Sequence, residues 1–495
     1  IWDNFGTVTF TPNAGTLSTF QIDDTTVGGT AAFNNKSGAL FNINAAAADT
    51  HVVGVGTFNN EGELRKSLNG SPIVSSFAPV FNNQATGVVN VQSGTLALNG
   101  TGADLAGGVY NVSSGATVQF GNSRTIASNI AGAGTVVFAG GATTYGISGS
   151  YNVSGSTQTS STPTANFTGA VTNVGTTLSL TSGSTLDFSG IASGEGTAFA
   201  NLTSITSAGN PTFKTGTVLS GLTTLSVSGG ISNLGDQAVS LSSLTLSGGT
   251  ITGSGDITVT TGGTFNWSGN SAITGSGTLT TQAGVATTLA PGFAQQTALR
   301  GSRIWDNFGT VTFTPNAGTL STFQIDDTTV GGTAVFNNKL SGLFDISAAA
   351  TDTHVVGVGT FNNEGELRKS FNTSVVTSTI APALNNQATG LVNVLSGTLA
   401  ASGTLAQAGT IEVASGATFQ KTGGFTNTGT ITGSGTVNVV AGNTLTNNGT
   451  IAPGGAGAAG ILNVTGNFTN GASGLIDIEI GGATAGMTYD VLAVS

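Results

Sequence analysis

Leu405-Ala-Gln-Ala-Gly-Thr-Ile411, Phe425-Thr-Asn-Thr-Gly-Thr-Ile431 and Leu445-Thr-Asn-Asn-Gly-Thr-Ile451 are three lines of one pattern. The leading apolar residues are 20 apart, and so are the closing isoleucines. Each line reads apolar, x, Asn or Gln, x, Gly, Thr, Ile. A period near 20, built of short alternating segments with a turn at fixed phase, marks a β-solenoid in which each repeat is one coil. One coil cannot bury its own apolar face. Stacked coils can, because the same position recurs above itself at about 4.8 Å.

The third residue of each line carries the most information. Asn tolerates the left-handed backbone of a tight corner, and its side chain bonds readily to local backbone. In a stack, identical amides can also bond to one another along the axis. Gln407, Asn427 and Asn447 are therefore expected to form an internal amide ladder, with Gly429 and Gly449 turning the chain at positive φ. The motif can be followed backwards as Trp2-Asp-Asn4, Phe33-Asn-Asn35, Phe58-Asn-Asn60 and Phe81-Asn-Asn83. It returns as Trp305-Asp-Asn307, Phe336-Asn-Asn338, Phe361-Asn-Asn363 and Leu384-Asn-Asn386, and it ends at Phe468-Thr-Asn470. The expected ladder positions are Asn60, Asn83, Asn363, Asn386, Gln407, Asn427, Asn447 and Asn470. Phe58, Phe81, Phe361, Leu384, Leu405, Phe425 and Leu445 should form one internal stack beside it.

A larger repeat lies over the coils. The opening at Ile1 returns unchanged at Ile304, an offset of 303 residues, and the match fades only after Gly100 and Gly403. This predicts a first solenoid unit over 1–303 and a second, incomplete copy over 304–495 that continues it. Coils of about 20–25 residues should number 20 or more, over roughly 100 Å. Residues 101–303 keep the style without the strict phase. Within them Ser154–Pro163 is Ser/Thr-rich and is expected to be a surface excursion. Residues 290–302 join the copies and are not expected to be a flexible linker, because the apolar pattern resumes at once. Residues 452–460 read as a corner loop.

Composition agrees with a solenoid. The chain of 495 residues holds 78 Gly, and charged residues make up 7%, against roughly 25% in an ordinary soluble domain. Disorder is argued against by the 38% of hydrophobic residues, which alternate with small polar ones, as in Leu178-Ser-Leu180 and Leu244-Thr-Leu246. The net charge of −11 and the lack of a basic patch exclude nucleic acid as a partner. Cysteine is absent, so stability must come from the core. No apolar run reaches the length of a transmembrane helix. The chain opens on Ile1 in mid-pattern, which predicts a processed chain or a segment of a longer one.

The strings Phe58-Asn-Asn-Glu-Gly-Glu-Leu-Arg-Lys-Ser67, Thr426-Asn-Thr-Gly-Thr-Ile-Thr-Gly-Ser-Gly435 and Asn447-Asn-Gly-Thr-Ile-Ala-Pro453 resemble the repeats of large bacterial surface proteins, the autotransporter passenger domains and filamentous-haemagglutinin-like adhesins. That resemblance implies a right-handed parallel β-helix, export to the cell surface or beyond, and an adhesive or structural role. It also implies surface glycans or a host or substratum ligand as partners. Self-association, as a homo-oligomer or end to end, would build a filament or stalk.

An enzyme is the alternative, because some β-helices bind or degrade polysaccharides. That chemistry needs clustered carboxylates. Asp23-Asp24 and their copies Asp326-Asp327 are the candidates, but adjacent strand residues face opposite sides. They are expected to be solvated turns. Glu61, Glu63, Arg65 and Lys66, repeated as Glu364, Glu366, Arg368 and Lys369, read as an exposed ion-pair patch. His51 and His354 lie one large repeat apart and are expected at the surface. The Gly-Gly-x-Gly-x-Asp calcium repeat is missing. Thr7-Val-Thr9 and Thr258-Val-Thr260 do not recur at coil spacing, which argues against an ice-binding face. No catalytic, metal or cofactor site is expected.

Overall fold

The computed structural model describes residues 1–12, 18–23, 30–67, 73–315, 321–326, 333–370 and 376–495. Asp24 and Asp327 lie outside the described residues. The described chain falls into two compact units, Ile1–Val239 and Ser240–Ser495. Ile304, where the sequence copy begins, lies within the second unit. Among the described residues there are strands and turns and no helix. Parallel strands stack into about 19 turns of β-solenoid, slightly fewer than expected. The shortfall has a simple cause: some coils carry long corners, and the coil from Asn4 to Asn35 takes 31 residues.

In the first unit, strand Ala32–Asn35 pairs with Thr57–Asn60, which pairs with Val80–Asn83. The register sets Phe33, Phe58 and Phe81 one above another. In the second unit Phe336, Phe361, Leu384 and Leu405 follow in the same way, and Phe425 lies in register with Leu445. Strands of four residues alternate half-buried and buried positions, as in Thr57–Asn60 and Thr360–Asn363. The alternation sends every second side chain into the lumen of the coil. Phe58, Phe81, Phe361, Leu384 and Leu445 are fully enclosed, whereas Leu405 is half-buried. Phe33 and Phe58 stack with ring centroids 4.8 Å apart. Each buried Phe contributes roughly 1.5–3 kcal/mol, so repetition of the column supplies most of the driving force.

Two expectations about local structure are corrected. Gly429 and Gly449 do not turn the chain at positive φ. Glycine is needed there because the coils approach closely: a Cβ on Gly429 would meet the Gly409 carbonyl oxygen at 2.0 Å, and one on Gly449 the Gly429 oxygen at 2.1 Å. Nor does Ser154–Pro163 leave the surface as an excursion. Ser156–Thr159 is a strand paired with Thr135–Phe138 and with Thr177–Leu180. The Thr157 hydroxyl is buried, lying 2.7 Å from the Tyr151 hydroxyl and donating to the Val174 carbonyl. Thr fits a strand by its β-branch, and here its hydroxyl finds partners inside the coil.

The join between the copies is a coil, as the resumed pattern implied. Gln296–Leu299 pairs with Ser271–Ile273 on one side and Thr322–Ile325 on the other. Of the loop expected over 452–460, residues 454–460 lie outside strands, while 452 and 453 end strand Thr450–Pro453.

Candidate functional site

The most extensive polar feature is the internal ladder. Asn4 Nδ2 donates to Asn35 Oδ1 at 2.8 Å, Asn35 to Asn60 at 2.9 Å, and Asn60 to Asn83 at 2.9 Å. In the second unit Asn307 donates to Asn338, Asn338 to Asn363, Asn363 to Asn386, and Asn386 to Gln407, each at 2.9 Å. Asn427 donates to Asn447 at 2.9 Å and Asn447 to Asn470 at 2.8 Å. Each amide that donates to another amide also donates to a backbone carbonyl of the next coil, as Asn363 does to Leu391. The ladder residues lie at strand ends, in extended backbone. The left-handed corner expected of them is not used, because the amide bonds themselves tie the corner.

The second ladder has one break. Gln407 and Asn427 are in register, but the longer Gln side chain turns back to the Gly409 carbonyl at 2.7 Å. Asn427 Oδ1 is left buried with no partner among the described residues.

In the first unit Asp104 stands at the phase of Gln407 and Ile126 at that of Asn427. Arg124, two residues before Ile126, is in register with Gly102, and Asp104 and Arg124 meet across this step. Both are buried and form an ion pair at 3.1 Å. The Asp104 carboxylate also accepts from the Asn83 N–H and the Tyr110 hydroxyl. The Arg124 guanidinium donates to the Phe81 carbonyl and lies over the Phe81 and Phe120 rings. Asp104 thus takes the place of Gln407, and the charged clasp with Arg124 ends the row where the second unit continues it with an amide.

A further ladder on the outer face was missed. Asn34 donates to Asp3 at 2.7 Å, Asn59 to Asn34 at 2.9 Å and Asn82 to Asn59 at 3.0 Å. The copy repeats it from Asp306 through Asn337 and Asn362 to Asn385. The paired Asn-Asn of each repeat was the available signal, since adjacent strand residues face opposite sides and each Asn enters its own column.

The ion-pair patch is only half as expected. Arg65 grips Glu63 through two bonds of 2.6 and 2.8 Å, Asn90 adds a third to Glu63, and Arg368 and Glu366 repeat the fork. Lys36 pairs with Glu61 at 3.1 Å, and Lys339 with Glu364 at 3.5 Å. Lys66 and Lys369, however, are fully buried, because they stand one residue beyond the outward arginines and so face the lumen. His51 and His354 are buried as well, not at the surface. Burial pushes the His51 imidazole below its usual range and brings His354 down to about 4. It also lowers both lysine ammonium groups.

The acidic candidates accept backbone N–H groups. Asp23 and Asp326 have φ near 61° and 59°, and each carboxylate accepts a backbone N–H, from Ala31 at 2.9 Å and Ala334 at 3.2 Å. Asp326 is buried, so the solvated turn expected there is corrected. A surface groove of about 320 Å³ is lined by residues that include Asp477, Glu479 and Asp490. Asp490 accepts from the N–H groups of Gly460 and Glu479, and Glu479 accepts from Gly457. Two of these three carboxylates therefore anchor the loop 454–460. Among the described residues, no group of three or more His, Asp or Glu is arranged to hold a metal ion, and no helix is long and apolar enough to cross a membrane. No protein-family model matches the chain, and no curated protein matches it.

Proposed function

We propose that this solenoid is a structural and adhesive segment of a bacterial extracellular surface, part of a filament or stalk, as in the autotransporter passengers and filamentous adhesins that its repeats resemble. The reading rests on one observation. The coil that opens with Ile304-Trp-Asp-Asn307 is seated on a preceding coil of unrelated sequence, Thr278–Thr281, in full register. The Trp305 indole donates to Thr281 Oγ1 at 3.1 Å, and Thr281 Oγ1 lies 2.8 Å from Asn307 Oδ1. The repeated module therefore accepts different neighbours through the same strand edge and ladder. Such a module lengthens a shaft without redesign. In this role the protein is not an enzyme, and its partners are copies of itself and the surface it touches.

Electron microscopy of the native protein tests the reading. Filaments or stalks are expected, and compact isolated particles at high concentration would remove it. Incubation with acidic and neutral polysaccharides tests the alternative: turnover lost in Asp326→Asn would establish a polysaccharide-degrading enzyme.

A further inference from the structure

Each copy of the repeat buries three polar side chains on adjoining strands, the lysine close enough to the histidine to act on it electrostatically. They are His51, Lys66 and Ser75 in the first and His354, Lys369 and Ser378 in the second. Lys66 is the last inward residue of strand Glu63–Lys66, and Ser75 the first inward residue of Val74–Phe77, which follows the corner. His51 comes from the adjacent coil, where Asp49 lies in register with Ser75 and an irregularity between Thr50 and Val52 sends the imidazole inward. In the second copy Asp352 lies in register with Ser378, with the same irregularity before Val355. All six side chains are at most 2% exposed. Neither lysine Nζ, neither histidine Nδ1 and neither serine Oγ has a hydrogen-bond partner among the described residues.

Other buried cations of this fold are met by oxygen. Arg303 donates to the carbonyls of Gly253, Gly255 and Thr274. Arg124 has Asp104, and Lys421 has the Thr422 carbonyl at 2.6 Å. Lys66 instead stands between Ile43 and Val91, and Lys369 between Ile346 and Val394, so each interrupts an otherwise apolar column. An ammonium brings three donors and no acceptor, and burying it unpaired carries its whole desolvation cost. The nearby acids are Asp49 and Asp352, which act on the histidines, and Asp345, which acts on Lys369. None of them forms an ion pair with either lysine among the described residues.

We propose that each copy binds one halide-sized inorganic anion against the lysine Nζ and the serine Oγ, with the histidine ring as a wall. One ammonium and one hydroxyl are too few donors for a phosphate or sulfate. The remaining surroundings suit a monatomic ion, with the Phe10 ring 6.2 Å from His51 and the Phe313 ring 6.1 Å from His354. Because the histidine belongs to one coil and the lysine and serine to the next, the bound ion would tie two coils together.

Bromide is the probe. Anomalous diffraction from crystals of the full chain grown in bromide should show one peak beside Lys66 and one beside Lys369. The melting temperature should rise with bromide at constant ionic strength, by mass action on the folded state. Both effects should vanish in the K66M/K369M variant. If that variant does not fold, S75A/S378A with the wild-type bromide series takes its place and should show a weakened bromide response. Crystals without a peak at either lysine, a melting temperature indifferent to bromide, or peaks that persist in the lysine variant would each overturn the proposal.

Discussion

At the scale of the residue, the amide ladder yields the sharpest expectation. Asn363 accepts from Asn338 and donates to Asn386 and to the Leu391 carbonyl, so Asn363→Leu strands buried groups on both sides. It should cost about 2 kcal/mol. Asn427→Leu should cost less, about 1 kcal/mol, because its Oδ1 has no partner to lose. Chemical denaturation of the two variants checks the order, and equal losses would show that the break at Gln407 is energetically silent. The ladder was legible because Asn recurs at coil spacing. Its break was not, since Gln and Asn look equivalent in a pattern, which does not show that Gln407 turns its NH2 group to Gly409 instead of to Asn427. The inward lysines were missed for a related reason. Glu-Leu-Arg-Lys reads as a charged run, and only counting alternate faces from the buried Leu64 would have sent Lys66 into the core.

At the scale of the element, the Asp104–Arg124 clasp closes the row of the first unit at the phase where Gln407 stands in the second. Arg124→Asn alone leaves a buried carboxylate without its partner and should cost about 3–5 kcal/mol. Adding Asp104→Asn removes the stranded charge and should recover most of that loss. Denaturation of the single and double variants measures this coupling, and simple addition of the losses would refute it. The strand Asp352–Val356 predicts a pH dependence. His354 takes a proton near 6.5 when unfolded but only near 4 when folded. The unfolded chain therefore binds more protons between those values, and stability should fall by up to about 3 kcal/mol as pH drops from 6.5 to 4. His51 shifts the same way and adds to the effect. Melting curves in halide-free buffer should show the decline, and His354→Phe should flatten it. The strand pattern itself was readable from apolar alternation. Ser156–Thr159 was not, because threonine-rich segments look alike in strands and loops until the buried partners of Thr157 are known.

At the scale of the molecule, a coil is a unit that can be removed. Deleting residues 408–427 joins Gln407 to Thr428 and restores the line Leu-Ala-Gln-Thr-Gly-Thr-Ile, with Gln407 in register with Asn447. The shortened chain should keep its β-rich circular dichroism and a cooperative melt. Deleting only 408–417 shifts each following strand onto the wrong sheet and should abolish folding. If both deletions fold equally well, coil register is not what holds the stack.

The ladder also has a sense of direction. In each amide-to-amide step of the internal ladder the NH2 group points toward the C-terminal coil and the oxygen toward the N-terminal one, and the bonds from NH2 to backbone carbonyls fix that orientation. The outer column runs the other way. Within the internal row the amide dipoles therefore add along the axis, as peptide dipoles add along a helix. Two coils meeting with the same pole would set donor against donor or oxygen against oxygen. Only contact of opposite poles continues the row, so the internal ladder carries a built-in arrow that any coil joining it must obey.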